Sequence, residues 1–144
     1  IQCNHRELEE NTMPIESHLI QDENILIVKL IGFIPATEIS QFVADEIFER
    51  VNDNPEKFLN IIYDVTEFEW TFVEFANYLK AYTKPKPDNI VNIVQEHYVG
   101  KSQWIANLRT WWKQHAGKDT TAFTTVEDAL EYIRRKAKQD GFSA

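Results

Sequence analysis

Cysteine, glycine and proline are all scarce in this chain, and each scarcity excludes something. The 144 residues hold a single cysteine, Cys3, so no internal disulfide is possible. One thiol and no disulfide fit a reducing compartment, and the expected location is cytoplasmic. Gly 4 and Pro 5 leave little material for linkers or disordered tracts. No apolar run approaches the ~20 residues of a membrane span. The longest, Ile25 to Ile34, is interrupted by Lys29 and Gly32. A basic excess is also missing. The net charge of −8 argues against general nucleic-acid binding.

Recognisable catalytic motifs are missing too. No glycine-rich loop of the phosphate-binding or dinucleotide type occurs. The histidines, His5, His18, His97 and His115, stand at no metal-ligand spacing and beside no Ser or Cys in a nucleophile context. The expectation is therefore a non-enzymatic chain with no catalytic residue, no metal and no cofactor.

What is present is enough for a core. Hydrophobic residues make up 43% and aromatics 12%, in a length that suits one domain. Ile1 to Thr12 is polar and acidic, and strand-like sequence starts directly after Met13-Pro14. The expected division is a leader or flexible extension over 1–12, a domain over 13–140 and a tail over 141–144. Charge is distributed unevenly. Residues 1–75 hold 4 basic and 16 acidic side chains, a balance of −12, and residues 76–144 hold 11 and 7, a balance of +4. This reads either as a solvated surface or as an acidic face and a basic face that steer a partner.

Ile15 to Ile20 has strand character, Asp22-Glu23-Asn24 is a turn signal, and Ile25 to Ile31 reads as a buried central strand. Thr37 is the expected N-cap of a first helix. That helix carries Ile39, Phe42, Val43, Ile47 and Val51, and it ends at Asn52 to Pro55. Phe58 to Tyr63 is a third strand, closing at Asp64. Thr71-Phe72-Val73-Glu74 has the form of a capping box that opens a second helix. Ile90 to Val94 is the expected fourth strand, and Gly100-Lys101-Ser102 leads to a third helix closed by Gly117. Thr121 to Phe123 is a short fifth strand, and Thr124 to Glu127 is a second capping box before a last helix. The order β-β-α-β-α-β-α-β-α implies an α/β domain with a mixed, mostly parallel sheet covered by helices.

Within that order, Ile25 to Gly32, Ile62-Tyr63-Asp64-Val65-Thr66 and Phe123-Thr124-Thr125-Val126-Glu127-Asp128-Ala129-Leu130 resemble segments of the STAS domain. The resemblance is closer to its SpoIIAA-like relatives, and it runs over roughly Met13 to Lys138. It implies a STAS/SpoIIAA-like single domain. STAS proteins that antagonise anti-sigma factors carry a phosphorylated Ser in an Asp-Ser-Ser-Gly stretch at the start of the second helix. Here that stretch is Phe68-Glu69-Trp70-Thr71-Phe72-Val73, without Ser or Gly. Thr71 is its one hydroxyl and the one phosphorylation candidate, and its context reads as a helix cap. No phosphoswitch is expected. The resemblance to SpoIIAA-like proteins implies instead a nonpolar ligand pocket and contact with membrane.

Asp64 at a strand end stands where open α/β sheets place ligands. Phosphoacceptor chemistry also needs an acidic pair and a lysine that this chain does not position, so a carboxylate bonded to local backbone N–H groups is expected. Glu67, Glu69 and Glu74 extend an acidic patch that lacks calcium-loop spacing. The third helix is the most informative segment. Trp104, Ile105, Leu108, Trp111, Trp112 and His115 fall within about one third of its circumference, and Arg109 and Lys113 lie opposite. This stripe reads either as a core face or as a wall for a nonpolar ligand or lipid. On the second reading the ligand-binding residues are Trp70, Phe72, Phe75, Trp104, Leu108, Trp111 and Trp112.

Two functions are expected from these readings. One is a binding module for a small nonpolar molecule or lipid, cytoplasmic or peripheral to a membrane. The other is a STAS-type regulator that binds a protein partner or a second copy of itself, without the phosphoserine switch.

Overall fold

A computed structural model describes residues 14–69, 71, 73–74, 93–100, 103–117 and 119–139; for Trp104, His115 and Ala116 only the backbone is described. These residues form a five-stranded sheet in the order β1-β2-β3-β4-β5. The strands are β1 (Ile15–Ile20), β2 (Ile25–Gly32), β3 (Leu59–Phe68), β4 (Val94–Val99) and β5 (Thr121–Phe123). β1 runs antiparallel to β2, and the remaining pairs are parallel. The mixed, mostly parallel sheet follows the expected element order.

The opening hairpin turns through Gln21 to Asn24. Asn24 takes a left-handed backbone (φ 54°), which Asn tolerates better than other side chains with a Cβ. Its side-chain N–H donates to Phe58 O at 2.6 Å and so ties the turn to the entry of β3.

The first helix, α1, is continuous from residue 36 to residue 53, but Val43–Phe48 is wound as π-helix. Its apolar residues Ile39, Val43, Ile47 and Val51 recur every four positions. In an α-helix that spacing drifts by about 40° per step. The wider π turn offsets part of that drift, and Ile39, Ile47, Phe48 and Val51 are all buried in the core with Val43 packed against it. The N-cap is Pro35, with no side-chain cap, and not Thr37, which lies within the first turn. Proline at this position loses no hydrogen bond that the helix start would have made.

α2 (Gln103–Ala116) is the third helix of the expected order, and α3 (Val126–Gln139) is its last. Gly117 ends α2 with φ 62°, and its N–H donates to Lys113 O at 3.1 Å. At α3, Thr125 Oγ1 accepts the Asp128 N–H at 3.0 Å. The cap therefore sits one residue later than the Thr124–Glu127 pairing. The second helix, expected from Phe72, lies mostly outside the described residues, but Val73 and Glu74 are helical.

Side chains alternate between the two faces of the sheet. On one face Leu26, Val28, Leu30, Leu59, Ile61, Val65, Val94 and Tyr98 pack against Ile39, Ile47, Phe48 and Val51 of α1 and Ile105 and Leu108 of α2. On the other, Ile25, Ile62 and Val99 meet Ala129 and Ile133 of α3. Burial on both faces explains the unbroken apolar run of β2. Right-handed crossovers that step in one direction along the sheet put their helices on one side. α3 follows the last strand and is free of that constraint, so it folds over the other side. A bidentate pair from Arg134 to Glu23, at 2.7 and 2.8 Å, fastens it to the hairpin turn. The Arg134 guanidinium holds the Glu23 carboxyl below the usual carboxylate range. Among the described residues no helix is long and apolar enough to cross a membrane.

Two strand boundaries differ from expectation. β3 continues past Asp64 to Phe68. The pairing Lys29↔Asp64 is followed by Ile31↔Glu67, so β3 carries one extra residue in a bulge. The fourth strand is Val94–Val99, not Ile90–Val94; Ile93 is helical, and 90–92 lie outside the described residues. Gln95, Glu96 and His97 hide this strand in the sequence. They are tolerated there because the fold gives Gln95 and His97 partners.

Candidate functional site

The C-terminal edge of the parallel strands gathers the loops where open α/β sheets place ligands. β2 leaves the sheet at Gly32 (φ 70°), and Phe33 follows with 58% of its surface exposed. β3 leaves at Phe68, and the Glu69 N–H donates to Gly32 O at 3.0 Å, which locks the two exits side by side. Thr71 then starts the second helix. Its N–H donates to Glu74 Oε1 at 2.8 Å, and its Oγ1 accepts the Glu74 N–H at 3.2 Å. This is the reciprocal capping box expected from the sequence. Val73, inside that first turn, is 65% exposed.

The edge is acidic. Asp64 spends one carboxylate oxygen on the Thr66 N–H, at 3.1 Å, within the β3 bulge. That is the local backbone bond expected for it, placed inside a strand rather than at a strand end. Lys29 Nζ pairs with Glu67 Oε2 at 3.2 Å. The Glu67 carboxylate, with help from Asp64 and Glu16, holds the Lys29 ammonium above the usual lysine range. Glu69 and Glu74 are exposed beside it. Two exposed apolar side chains, Phe33 and Val73, thus stand at one end of the sheet with Glu67, Glu69 and Glu74.

The cap occupies the start of the second helix. The Thr71 hydroxyl is engaged as an acceptor, and the Glu74 carboxylate is bonded to the same residue. A phosphoryl group there would meet like charge.

In α2, Leu108 is completely buried and Ile105 is 3% exposed, and both belong to the core. Trp112 is half-buried against it, and its indole N–H donates to the Tyr98 hydroxyl at 3.0 Å. Tyr98 stacks on Tyr63 with ring centroids 5.5 Å apart. Burial, reinforced by nearby Glu96, pushes the Tyr98 hydroxyl well above the usual tyrosine range. Trp111 is half-buried and meets Trp112 edge to face at 5.3 Å. On the polar side Arg109 Nε donates to Thr120 O at 2.9 Å, and Lys113 pairs with Asp119 at 2.9 Å. Trp70, Phe72, Phe75 and the Trp104 side chain lie outside the described residues.

On the α3 side the structure places a polar group that sequence reading missed. His97 is 2% exposed. Its Nε2 lies 2.9 Å from Asn60 Oδ1 and its Nδ1 2.6 Å from Thr121 Oγ1. Asn60 Oδ1 can only accept, so Nε2 carries the proton and the threonine hydroxyl donates to Nδ1. Phe123 and Tyr132 flank the ring. Burial lowers the His97 pKa to about 4. Three strands supply this trio, so no local spacing announces it. Among the described residues no three His, Cys, Asp or Glu side chains gather in a metal-holding group.

Neither a family model nor a curated protein sequence matches the chain. Solved structures do match it. One is the crystal structure of an uncharacterised protein of the DUF3478 family, with a SpoIIAA-like fold, from Shewanella loihica PV-4. It superposes with a TM-score of 0.57 over 83% of this chain and 91% of that one, at 12% sequence identity. The likeness is one of fold, and it agrees with the element order and the sheet described above.

Proposed function

We propose that this SpoIIAA-like domain is a non-enzymatic interaction module. It docks a partner protein at the C-terminal edge of its parallel strands and uses no phosphoserine switch. The carrying observation is the exposed pair Phe33 and Val73 among Glu67, Glu69 and Glu74. Large apolar side chains held at a rigid sheet end, rimmed by carboxylates, suit a partner segment with apolar and basic side chains. The capped Thr71 makes this surface constitutive, since its hydroxyl is already committed to the helix start.

Site-specific photo-crosslinking tests the proposal. A photoreactive residue at position 73, in the source cells, should give one discrete protein adduct. The same residue at the exposed position 127 should give none. The adduct should fade as salt rises and disappear in a Phe33→Ser background that keeps the wild-type melting temperature. An adduct indifferent to both changes, or no adduct, refutes the reading; an adduct of two copies of this chain makes the partner a homodimer.

The second reading, a nonpolar ligand or lipid held by the aromatic residues of α2, draws support from the half-buried Trp111–Trp112 pair. Leu108 and Ile105 already fill the core beneath that helix, so such a ligand would sit against Trp111 and Trp112. A fatty-acid titration followed by tryptophan fluorescence tests it; no saturable change refutes it.

A further inference from the structure

At the opposite end of the sheet from the proposed docking edge, a recess of about 210 Å³ opens between the hairpin turn, the end of α1 and the entry of β3. Its apolar lining comes from Leu19 and the largely covered Val51 and Leu59. Its rim carries Arg50, Lys57 and the amides of Asn24 and Asn54, and among the described residues no carboxylate lines it. That composition runs against its surroundings. Residues 1–75 hold 16 acidic side chains and only 4 basic ones, and two of those four stand in this recess.

The rim has hydrogen-bonding capacity to spare. Arg50 uses Nε on Glu46 O at 3.0 Å and Nη2 on the Glu46 carboxylate at 3.3 Å. Those bonds orient the guanidinium and leave about three of its five N–H donors unused. The Lys57 ammonium and the Asn54 amide make no side-chain hydrogen bond with a described residue. Asn24 is fixed in position by its bond to Phe58 O. Glu46 offsets part of the Arg50 charge, and the C-terminal end of α1 adds roughly half a negative charge. Lys57, exposed at the rim, adds a second positive charge to the lining itself, while Asp53 and Glu56 neighbour it in sequence.

We infer that this recess binds a small organic anion, with its acid group between Arg50 and Lys57 and its short apolar part against Val51 and Leu59. A recess of about 210 Å³ admits a short-chain carboxylate. Arg presents a fork that matches a carboxylate in bidentate fashion.

Amide chemical-shift titration of the whole chain tests this, with butyrate, the uncharged butyramide and inorganic phosphate as probes. Butyrate should give saturable shifts at Asn24, Asn54 and Lys57. Butyramide should give none, and phosphate should bind more weakly because it leaves the apolar wall unused. Lys57→Glu changes an exposed side chain, so the fold should persist, and it should weaken butyrate roughly tenfold or more. Asn54→Asp, which puts a carboxylate on the rim, should act in the same direction. The inference is overturned if butyrate gives no saturable shift, if butyramide matches it, if phosphate binds as tightly, or if Lys57→Glu leaves the affinity unchanged.

Discussion

Acidification should destabilise this protein through His97 before its carboxylates titrate. The imidazole is 2% exposed, and both its nitrogens are bonded, to Asn60 and Thr121. Either partner tolerates an added proton, since the threonine hydroxyl can turn to accept. Removal from water is what opposes the charge, and it lowers the pKa from 6.5 to about 4. The unfolded chain therefore binds a proton near pH 6.5 that the folded chain refuses until about pH 4. Stability rises with pH wherever the unfolded state holds more protons. The contribution is thus flat above pH 7, falls as pH drops through 6.5, and levels off below about 4. With 1.36 kcal/mol per pKa unit, the loss relative to pH 7.5 is about 2 kcal/mol at pH 5 and about 3 kcal/mol at pH 4. Carboxylates contribute mainly below pH 5, so the diagnostic window is pH 5 to 6.5. Urea unfolding across that window, in wild type and in His97→Gln, isolates the effect as the difference between the two curves. An imidazole nitrogen NMR titration checks the pKa directly. A difference curve flat to within ~0.5 kcal/mol, or a native His97 that titrates near 6.5, would refute the reasoning.

Two further outcomes follow from packing. Trp112→Phe removes the N–H that serves the buried Tyr98 hydroxyl and should cost about 1–3 kcal/mol in denaturant unfolding, with a changed near-ultraviolet signal from the Tyr98–Tyr63 stack; a cost under ~0.5 kcal/mol would show that this bond is dispensable. Gly100→Ala places a Cβ 2.7 Å from Ile105 Cδ1 and 3.4 Å from Val65 Cγ2, at φ 158°, where the buried Ile105 has little room to retreat. It should lower stability by about 1–3 kcal/mol, read as a drop in melting temperature, and an unchanged melting temperature would mean that Ile105 repacks freely.

The capping box stands at the C-terminal edge of the parallel strands. Thr71 and Glu74 are three residues apart, and each satisfies a backbone N–H of the other. The geometry is local, so the sequence announces it without help from the rest of the chain. The exposed apolar pair is not local. Phe33 and Val73 come to the same end of the sheet only because β2 and β3 are paired in parallel and exit together at Gly32 and Glu69. Their 40-residue separation hides the surface from any motif search.

Properties that repeat over a few residues are legible in the sequence itself. The period-two and period-four apolar patterns place β1, β2, α1, β5 and α3, and Gly117 marks the end of α2. Short-range sterics and hydrogen bonding decide those features, and the chain carries them with it. The fourth strand escapes because Gln95, Glu96 and His97 are polar, and their cost is met by partners from other strands or loops, Asp119 for Gln95 and Asn60 and Thr121 for His97. The full length of β3 escapes because its bulge at Val65-Thr66 depends on what Lys29 and Ile31 pair with. The two faces of α2 are visible as a stripe, but tertiary packing assigns them: Leu108 and Ile105 go to the core, and Trp111 and Trp112 to its margin. The recess lined by Arg50 and Lys57 is the extreme case. Arg50 and Lys57 look like scattered charges in an acidic half, and only the meeting of a turn, a helix end and a strand start turns them into one rim.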